Sequence, residues 1–223
     1  MKIENNNQTF NGIKIASARA KLNGVVSNYE LYRITPKDSA YLDNLELHLD
    51  LPRLWSGLKQ GDYFFWKKTI SMMFSVAKSS SAESVVIAKD GALCGGINYN
   101  IDSHNKCNVA YRVTWPVESE KKAPFAGKIL YMQLFKKCLD KGVNSIKTTV
   151  SRFGPFSAIS KCCQLGFGLN GGDNYTEIMG IGEKGMRNTF DKFQDIIEIT
   201  SIPESEQKDF DLFTVLQSPA KKL

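Results

Sequence analysis

The stretch EKKAPFAGKILYMQLFKKCLDKG, residues 120–142, joins a cationic, glycine-containing turn to a long apolar pattern. Its apolar residues recur at spacings of four, three, three and four, which predicts a helix with a broad buried face that ends at Gly142. Those residues are Phe125, Ile129, Met132, Phe135 and Leu139. Two explanations suit a cationic turn at a helix start: ordinary solvated capping, or a docking place for phosphates.

The composition indicates a folded chain. With 223 residues, 42% of them hydrophobic and 11% aromatic, the chain can build a sizeable core. The formal net charge of +6 allows an anionic ligand, but the 29 basic residues are scattered along the sequence, so no nucleic acid is expected as a partner. No apolar run reaches the roughly 18 residues of a spanning helix, so no membrane span is predicted.

The five cysteines show no metal-binding pattern, because they form no Cys-x-x-Cys pair and no zinc-type spacing. They are Cys94, Cys107, Cys138, Cys162 and Cys163. We expect reduced thiols in a cytoplasmic-type environment, and no metal. The polar start MKIENNNQTFNG lacks the apolar segment of a Sec signal peptide, and it is compatible with a flexible leader, including one for export by another route.

Hydrophobic periodicity predicts an α/β chain with a mixed, mostly antiparallel sheet flanked by helices. The clearest segment is a hairpin at 83–101 with Asp90-Gly91 at its tip, followed by a strand at 108–117. Further strands are predicted at 27–36, 144–151 and 175–182, and further helices at 42–49, 62–77, 156–167 and 188–199. We therefore divide the chain into a flexible polar leader (1–26), one domain (27–200) and an exposed C-terminal tail (201–223).

This order of elements, over residues 28–182, resembles the GNAT superfamily of acetyl-CoA-dependent N-acyltransferases. The loop signature of that family, Arg/Gln-x-x-Gly-x-Gly/Ala, falls on Lys122, Phe125 and Gly127. Lys122 keeps the charge and Gly127 keeps the last small position, but Phe125 replaces the middle glycine.

The second signature of the family is Asn-x-x-Ala-x-x-x-Tyr-x-x-x-Gly-Phe. Ala158, Gly166 and Phe167 match it, whereas Pro155 and Cys162 depart from it. The resemblance implies a sheet in which the strand ending at Val117 splays from the strand at 144–151, with the cofactor in the split.

The cofactor that the resemblance implies is acetyl-CoA. A helix N-terminus leaves about four backbone N–H groups unpaired and carries roughly half a positive charge, which suits the diphosphate of coenzyme A. The residues expected to bind the cofactor belong to the strand end, the loop and the first helical turn. They are Trp115, Val117, Lys122, Ala123, Phe125, Ala126, Gly127 and Lys128.

The implied reaction needs a base for the acceptor amine and an acid for the leaving thiolate. In the family a tyrosine often supplies this proton, and Cys162 stands at the matching position. The Cys162 thiol is a candidate acid, a candidate covalent relay or a small buried apolar side chain. Tyr111 is a further acid candidate, and Glu118 is the base candidate ahead of Asp173 and Glu177.

The acceptor stays open at this level. Direct attack on the thioester by an amine of a protein or small molecule is the first interpretation, with the aromatic residues of 54–66 and the loop 168–175 near the acceptor. The departures at Phe125, Pro155 and Cys162 favour instead a relative that binds coenzyme A or a protein partner without turnover. The polar start and basic charge also suit a secreted effector or toxin-type acetyltransferase.

Overall fold

The computed structural model describes residues 11–34, 60–79, 82–89, 92–114, 123–152 and 158–211, with the backbone alone at 11, 60–66, 92 and 209–211. The strands in these ranges are β1 Asn11–Leu22, β2 Val25–Ile34, β3 Glu83–Lys89, β4 Ala92–Ile101, β5 Lys106–Thr114, β6 Ser145–Ser151, β7 Gly168–Gly172, β8 Thr176–Gly182, β9 Ile197–Ser201 and β10 Asp209–Asp211. The helices are α1 Gln60–Lys78, α2 Ala126–Asp140, α3 Ala158–Gln164 and α4 Glu183–Phe193, with a 3-10 turn at Glu204–Glu206. None of the described helices is long and apolar enough to cross a membrane.

The described strands form one sheet in the order β10-β1-β2-β3-β4-β5-β6-β8-β7, and β9 also pairs with β1. Every pair is antiparallel except β5 with β6, which run parallel. This confirms the predicted fold class, a mixed and mostly antiparallel sheet flanked by helices.

Strands β5 and β6 pair over only four residues each, from Lys106 opposite Ser145 to Val109 opposite Thr148. Beyond that point β5 remains paired with β4 up to Thr114, whereas β6 remains paired with β8. The two strands therefore separate and leave a split. The predicted separation is confirmed for the described part of both strands.

Helix α2 is buried along most of its length, as its apolar pattern predicts. It ends in a Schellman motif: Gly142, at φ 68°, donates to the Leu139 carbonyl at 3.2 Å, and the Val143 N–H donates to the Cys138 carbonyl at 2.8 Å. The helix contacts β3, β4, β5 and β9. Its N-terminus therefore starts at a fixed place on one face of the sheet.

Two predicted boundaries at the ends of the chain are wrong. Residues 11–26, assigned to the leader, form β1 and the start of β2, with Ala16, Ala18 and Ala20 buried on one face of β1. The predicted tail contains β10, which pairs with residues 11–13 of β1. Both stretches are ordered because they pair with strands: β1 pairs with β2 and with β10.

Two further elements differ from their predictions. The helix predicted at 188–199 is α4, which begins at Glu183 and ends at Phe193, because β9 takes the residues from Ile197 onward. The stretch 168–175, predicted as a loop, contains the edge strand β7, which pairs with β8. Its glycines and exposed side chains give no period-two pattern that a sequence could show.

Candidate functional site

The first turn of α2 presents backbone N–H groups without acceptors. Phe125 is the N-cap residue, and its apolar side chain makes no capping hydrogen bond. The Ala126 N–H donates to the Ala123 carbonyl at 3.3 Å, whereas the N–H groups of Gly127 and Lys128 have no acceptor among the described residues. These groups and the positive end of the helix dipole favour an anion here.

Phe125 has a left-handed backbone, with φ 67° and ψ 2°. A residue with a Cβ adopts this region at a cost of about 1–2 kcal/mol, whereas glycine adopts it freely. This is the position where the loop signature has its middle glycine. The chain thus holds, with a phenylalanine, a conformation that glycine would take without strain.

A cavity of about 380 Å³ opens beside this turn, between the end of β5, the loop before α2, and α3. The predicted cofactor residues on its wall are Ala123, Phe125, Ala126, Gly127 and Lys128. The loop and the first helical turn therefore line one cavity, and their role in binding a cofactor stays a prediction.

The loop before α2 is held from the sheet. Tyr29 of β2, which is almost fully buried, donates from its hydroxyl to the Pro124 carbonyl at 2.5 Å. Ala123 and Ala126, on either side of this contact, are also buried. This hydrogen bond fixes the point from which the helix N-terminus starts.

Arg112 of β5 supplies a positive charge to the cavity that sequence reasoning missed. A Cβ atom added to Gly127 would lie 2.5 Å from Arg112 Nη1, so the guanidinium lies against the helix turn only because residue 127 is a glycine. The guanidinium carbon also lies 5.6 Å from the centre of the Tyr131 ring. The sequence feature that could have pointed to Arg112 is its place inside a strand, because a charged side chain there needs a polar or charged partner.

Lys128 and Lys161 add positive charge to the same cavity. Burial lowers the pKa of Lys128, and Lys192 and Arg112 lower it further. Burial, followed by the charge of Arg112, lowers the pKa of Lys161. Within the part of the chain that the structure describes, no carboxylate forms an ion pair with Arg112 or Lys128. The cavity is therefore a cationic site with free N–H donors.

Cys162 of α3 is buried next to Tyr131, which lines the cavity. The Tyr131 hydroxyl interacts with the Cys162 thiol and with Thr148 of β6. Burial raises the pKa of Cys162 by more than its interactions with Arg112 and Tyr131 lower it, and burial also raises the pKa of Tyr131. Both groups are therefore protonated at neutral pH, so this thiol is better suited to donate a proton than to act as a nucleophilic thiolate.

Tyr111 is not brought to this cavity. Its hydroxyl contacts Met72 Sδ of α1 at 3.7 Å, whereas Arg112, the next residue of β5, lies against α2. Successive strand residues point to opposite faces, so Tyr111 lies on the other face of the sheet. Four predicted site residues lie outside the described residues: Trp115, Val117, Glu118 and Lys122.

The two weaker base candidates have structural partners instead. Asp173 accepts hydrogen bonds from the N–H groups of Tyr175 and Thr176, both at 2.7 Å, and these bonds hold its pKa below its ordinary range. Glu177 forms an ion pair with Arg152 at 2.5 Å. Neither carboxylate lines the cavity.

Comparison with known proteins gives matches in structure alone, since no family model and no curated protein matches the sequence. One similar structure is a protein inferred to be an acetyltransferase, with a TM-score of 0.54 and 10% identity over 79% of this chain and 95% of that one. A probable GNAT-family acetyltransferase from Chromobacterium violaceum has a TM-score of 0.50 and 10% identity over 71% and 90% of the two chains. Apo FdhC, a nucleotide-linked sugar GNAT, has a TM-score of 0.50 and 11% identity over 75% and 94%. The chain therefore has the GNAT fold, and the resemblance stated from its sequence is confirmed for the fold.

Proposed function

From the GNAT fold and the site at the start of α2, we propose that this chain is an N-acyltransferase that moves an acyl group from acetyl-CoA to an amine. The observation that carries the proposal is the uncapped N-terminus of α2, whose Gly127 and Lys128 N–H groups lack acceptors among the described residues. A diphosphate would satisfy such groups, and a glycine lets it approach the backbone.

The described residues fit the diphosphate of coenzyme A. The N–H groups of Gly127 and Lys128 would bind phosphate oxygens, and the guanidinium of Arg112, close to the same turn, would add charge-assisted hydrogen bonds. Among the described residues, the split side of β5 has no strand partner after Val109. Its backbone groups would pair with the amides of an extended pantetheine arm, in the way an added strand pairs with a sheet edge.

An acyl thioester supplies an acyl group that is already activated toward an amine. The residues of this chain must hold the donor and move two protons, one lost by the amine and one gained by the leaving thiol. We assign the second proton to Cys162, because burial keeps its thiol protonated and it interacts with Tyr131 of the cavity wall. Glu118 stays the proposed base, whereas Tyr111, on the other face of the sheet, is no longer assigned a proton.

The proposal is tested by titration and turnover together. Calorimetric titration should show that the protein binds coenzyme A, and Arg112→Ala should weaken that affinity by about tenfold or more, since a hydrogen bond to a charged group contributes about 1.5–3 kcal/mol. Arg187→Ala is the control, because Arg187 lies exposed on α4 and pairs with Glu183. Thiol release from acetyl-CoA should exceed hydrolysis with at least one amine of a panel. A folded protein that binds neither coenzyme A nor acetyl-CoA contradicts the proposal.

A second candidate is a protein that binds coenzyme A without turnover. The observation that favours it is Cys162, 2% exposed, at the position where the family often has a tyrosine. The same assays separate the two functions. Binding of coenzyme A with no amine-dependent thiol release across the panel supports the second candidate.

A further inference from the structure

Two lysines from different helices lie against one aromatic ring at the rim of the cavity. Lys128 Nζ of α2 lies 5.8 Å from the ring centre of Phe193, and Lys192 Nζ of α4 lies 5.4 Å from the same centre. Phe193 itself is 7% exposed, so it is a fixed point for both side chains. Both ammonium groups therefore lie near one ring, and the charge of Lys192 acts on Lys128.

Lys192 is connected to the cavity through α3. Its Nζ donates to the Gln164 carbonyl at 3.2 Å, and Gln164 lines the cavity. Lys192 does not line the cavity itself, and its contact with the cavity wall is the hydrogen bond to Gln164, a position that we call the rim. A phosphate that Lys192 binds would therefore lie beside Gln164, whereas Gly127 and Lys128 line the cavity itself.

Neither lysine has a carboxylate partner among the residues that the structure describes. No ion pair joins Lys128 or Lys192 to a carboxylate in the described ranges. Asp191 precedes Lys192 on α4, but adjacent helical residues do not face each other. Burial lowers the pKa of Lys128, and the charge of Lys192 is the next cause of that lowering. An anion between these two cations would offset their mutual repulsion.

We propose that Lys192, together with Lys128, forms a second anion subsite at the cavity rim, which binds the 3′-phosphate of coenzyme A. This inference rests on the proposed function, since it takes the donor diphosphate to lie on the first turn of α2. The same donor carries a separate 3′-phosphate on its ribose, which the side chains of Lys128 and Lys192 would bind. Helix α4 thereby determines whether the donor is the 3′-phosphorylated cofactor or its dephosphorylated form.

The test compares coenzyme A with 3′-dephospho-coenzyme A by calorimetric titration, in low and in moderate salt. The unmodified protein should bind coenzyme A about fivefold or more tightly than the dephosphorylated form, with a smaller ratio at higher salt. Lys192→Ala should bring that ratio close to one and leave the affinity for dephospho-coenzyme A unchanged. Lys184→Ala should leave both affinities unchanged, because Lys184 is exposed on the same helix about 12 Å farther along it.

Each other outcome has a distinct meaning. Equal affinity of the unmodified protein for the two ligands overturns the rim subsite and leaves the diphosphate site standing. A preference for coenzyme A that survives in Lys192→Ala overturns the assignment to Lys192. Failure of the folded protein to bind either ligand overturns the proposed function itself.

Discussion

Replacing Gly127 by alanine should lower the affinity for coenzyme A while the free energy of unfolding changes little. The added Cβ would lie 2.5 Å from Arg112 Nη1 and 3.4 Å from Thr114 Cγ2. The first contact is with the end of a flexible side chain, so the guanidinium is displaced and the backbone is not. The charge of the site is unchanged, and only the space in front of the helix turn is lost.

Two opposing effects on stability nearly cancel. Alanine stabilises a helix relative to glycine by roughly 0.5–1 kcal/mol. Displacement of Arg112 weakens its contact with the Tyr131 ring, which contributes about 0.5–1 kcal/mol at such a site. We therefore expect Gly127→Ala to unfold in urea within about 1 kcal/mol of the unmodified protein.

Cofactor affinity should change far more than stability. The methyl group would occupy the space through which the proposed phosphate reaches the N–H groups, and it would move Arg112 away from that phosphate. Loss of one charge-assisted hydrogen bond corresponds to about 1.5–3 kcal/mol, which is a tenfold or greater loss of affinity for coenzyme A by calorimetric titration. A matched control is Gly182→Ala at the N-cap of α4, where the added Cβ meets only the Asn144 carbonyl oxygen at 3.8 Å. Unchanged affinity for coenzyme A in a folded Gly127→Ala protein would refute the reasoning.

Three further changes test other parts of the account. Burial raises the pKa of Glu83, but its hydrogen bond and its charge interaction with Lys137 together lower that pKa by more. The ion pair between Glu83 and Lys137 therefore stabilises the fold at neutral pH, and this stabilisation is lost as acid protonates Glu83. Glu83→Gln should lower the free energy of unfolding in urea by about 1–3 kcal/mol at pH 7 and by much less in acid. The control Glu183→Gln, in an exposed pair, should lower it by under about 0.5 kcal/mol. Equal losses for Glu83→Gln at both pH values would contradict this prediction. Cys162→Ala should lower turnover by about 100-fold with coenzyme A affinity nearly unchanged, and full turnover would exclude Cys162 as the proton donor. Burial, Lys192 and Arg112 lower the pKa of Lys128, so coenzyme A affinity should fall as alkaline pH removes the proton of the Lys128 ammonium group. Lys128→Arg should reduce that fall, because arginine keeps its charge. An identical pH profile in both proteins would be evidence against Lys128 as a phosphate ligand.

The elements that sequence predicted well are those with a strong period and a marked end. Ile129, Met132 and Phe135 recur on one face of α2 and are all buried, and Gly142 ends the helix in the left-handed conformation that glycine favours. The hairpin of β3 and β4 was likewise visible, because apolar strands flank an Asp-Gly pair.

The outer strands could not be found in the same way. The buried face of β1 carries Ala16, Ala18 and Ala20, whose small side chains give a weak hydrophobic signal. Strands β9 and β10 are short and order by pairing with β1, from which they are distant in the chain. Strand propensity depends on such neighbours, and a sequence does not state which neighbours will meet.

The residues of the candidate site also fall into two groups, those with a local sequence signal and those that only the fold brings together. Gly127 and Lys128 could be predicted because a local sequence signal, a glycine at a helix start, carries the physics of anion binding. Arg112, Lys161 and Lys192 come from β5, α3 and α4, and only the fold brings them to one cavity and its rim. Charges that meet through tertiary structure have no spacing that a sequence pattern can register.

The most direct test of the account is a crystal structure of the protein with coenzyme A. The account predicts diphosphate oxygens within hydrogen-bonding distance, about 2.7–3.2 Å, of the N–H groups of Gly127 and Lys128, and the pantetheine arm in the split between β5 and β6 beyond Val109. Coenzyme A bound elsewhere, with the first turn of α2 contacting no phosphate, would contradict the central claim.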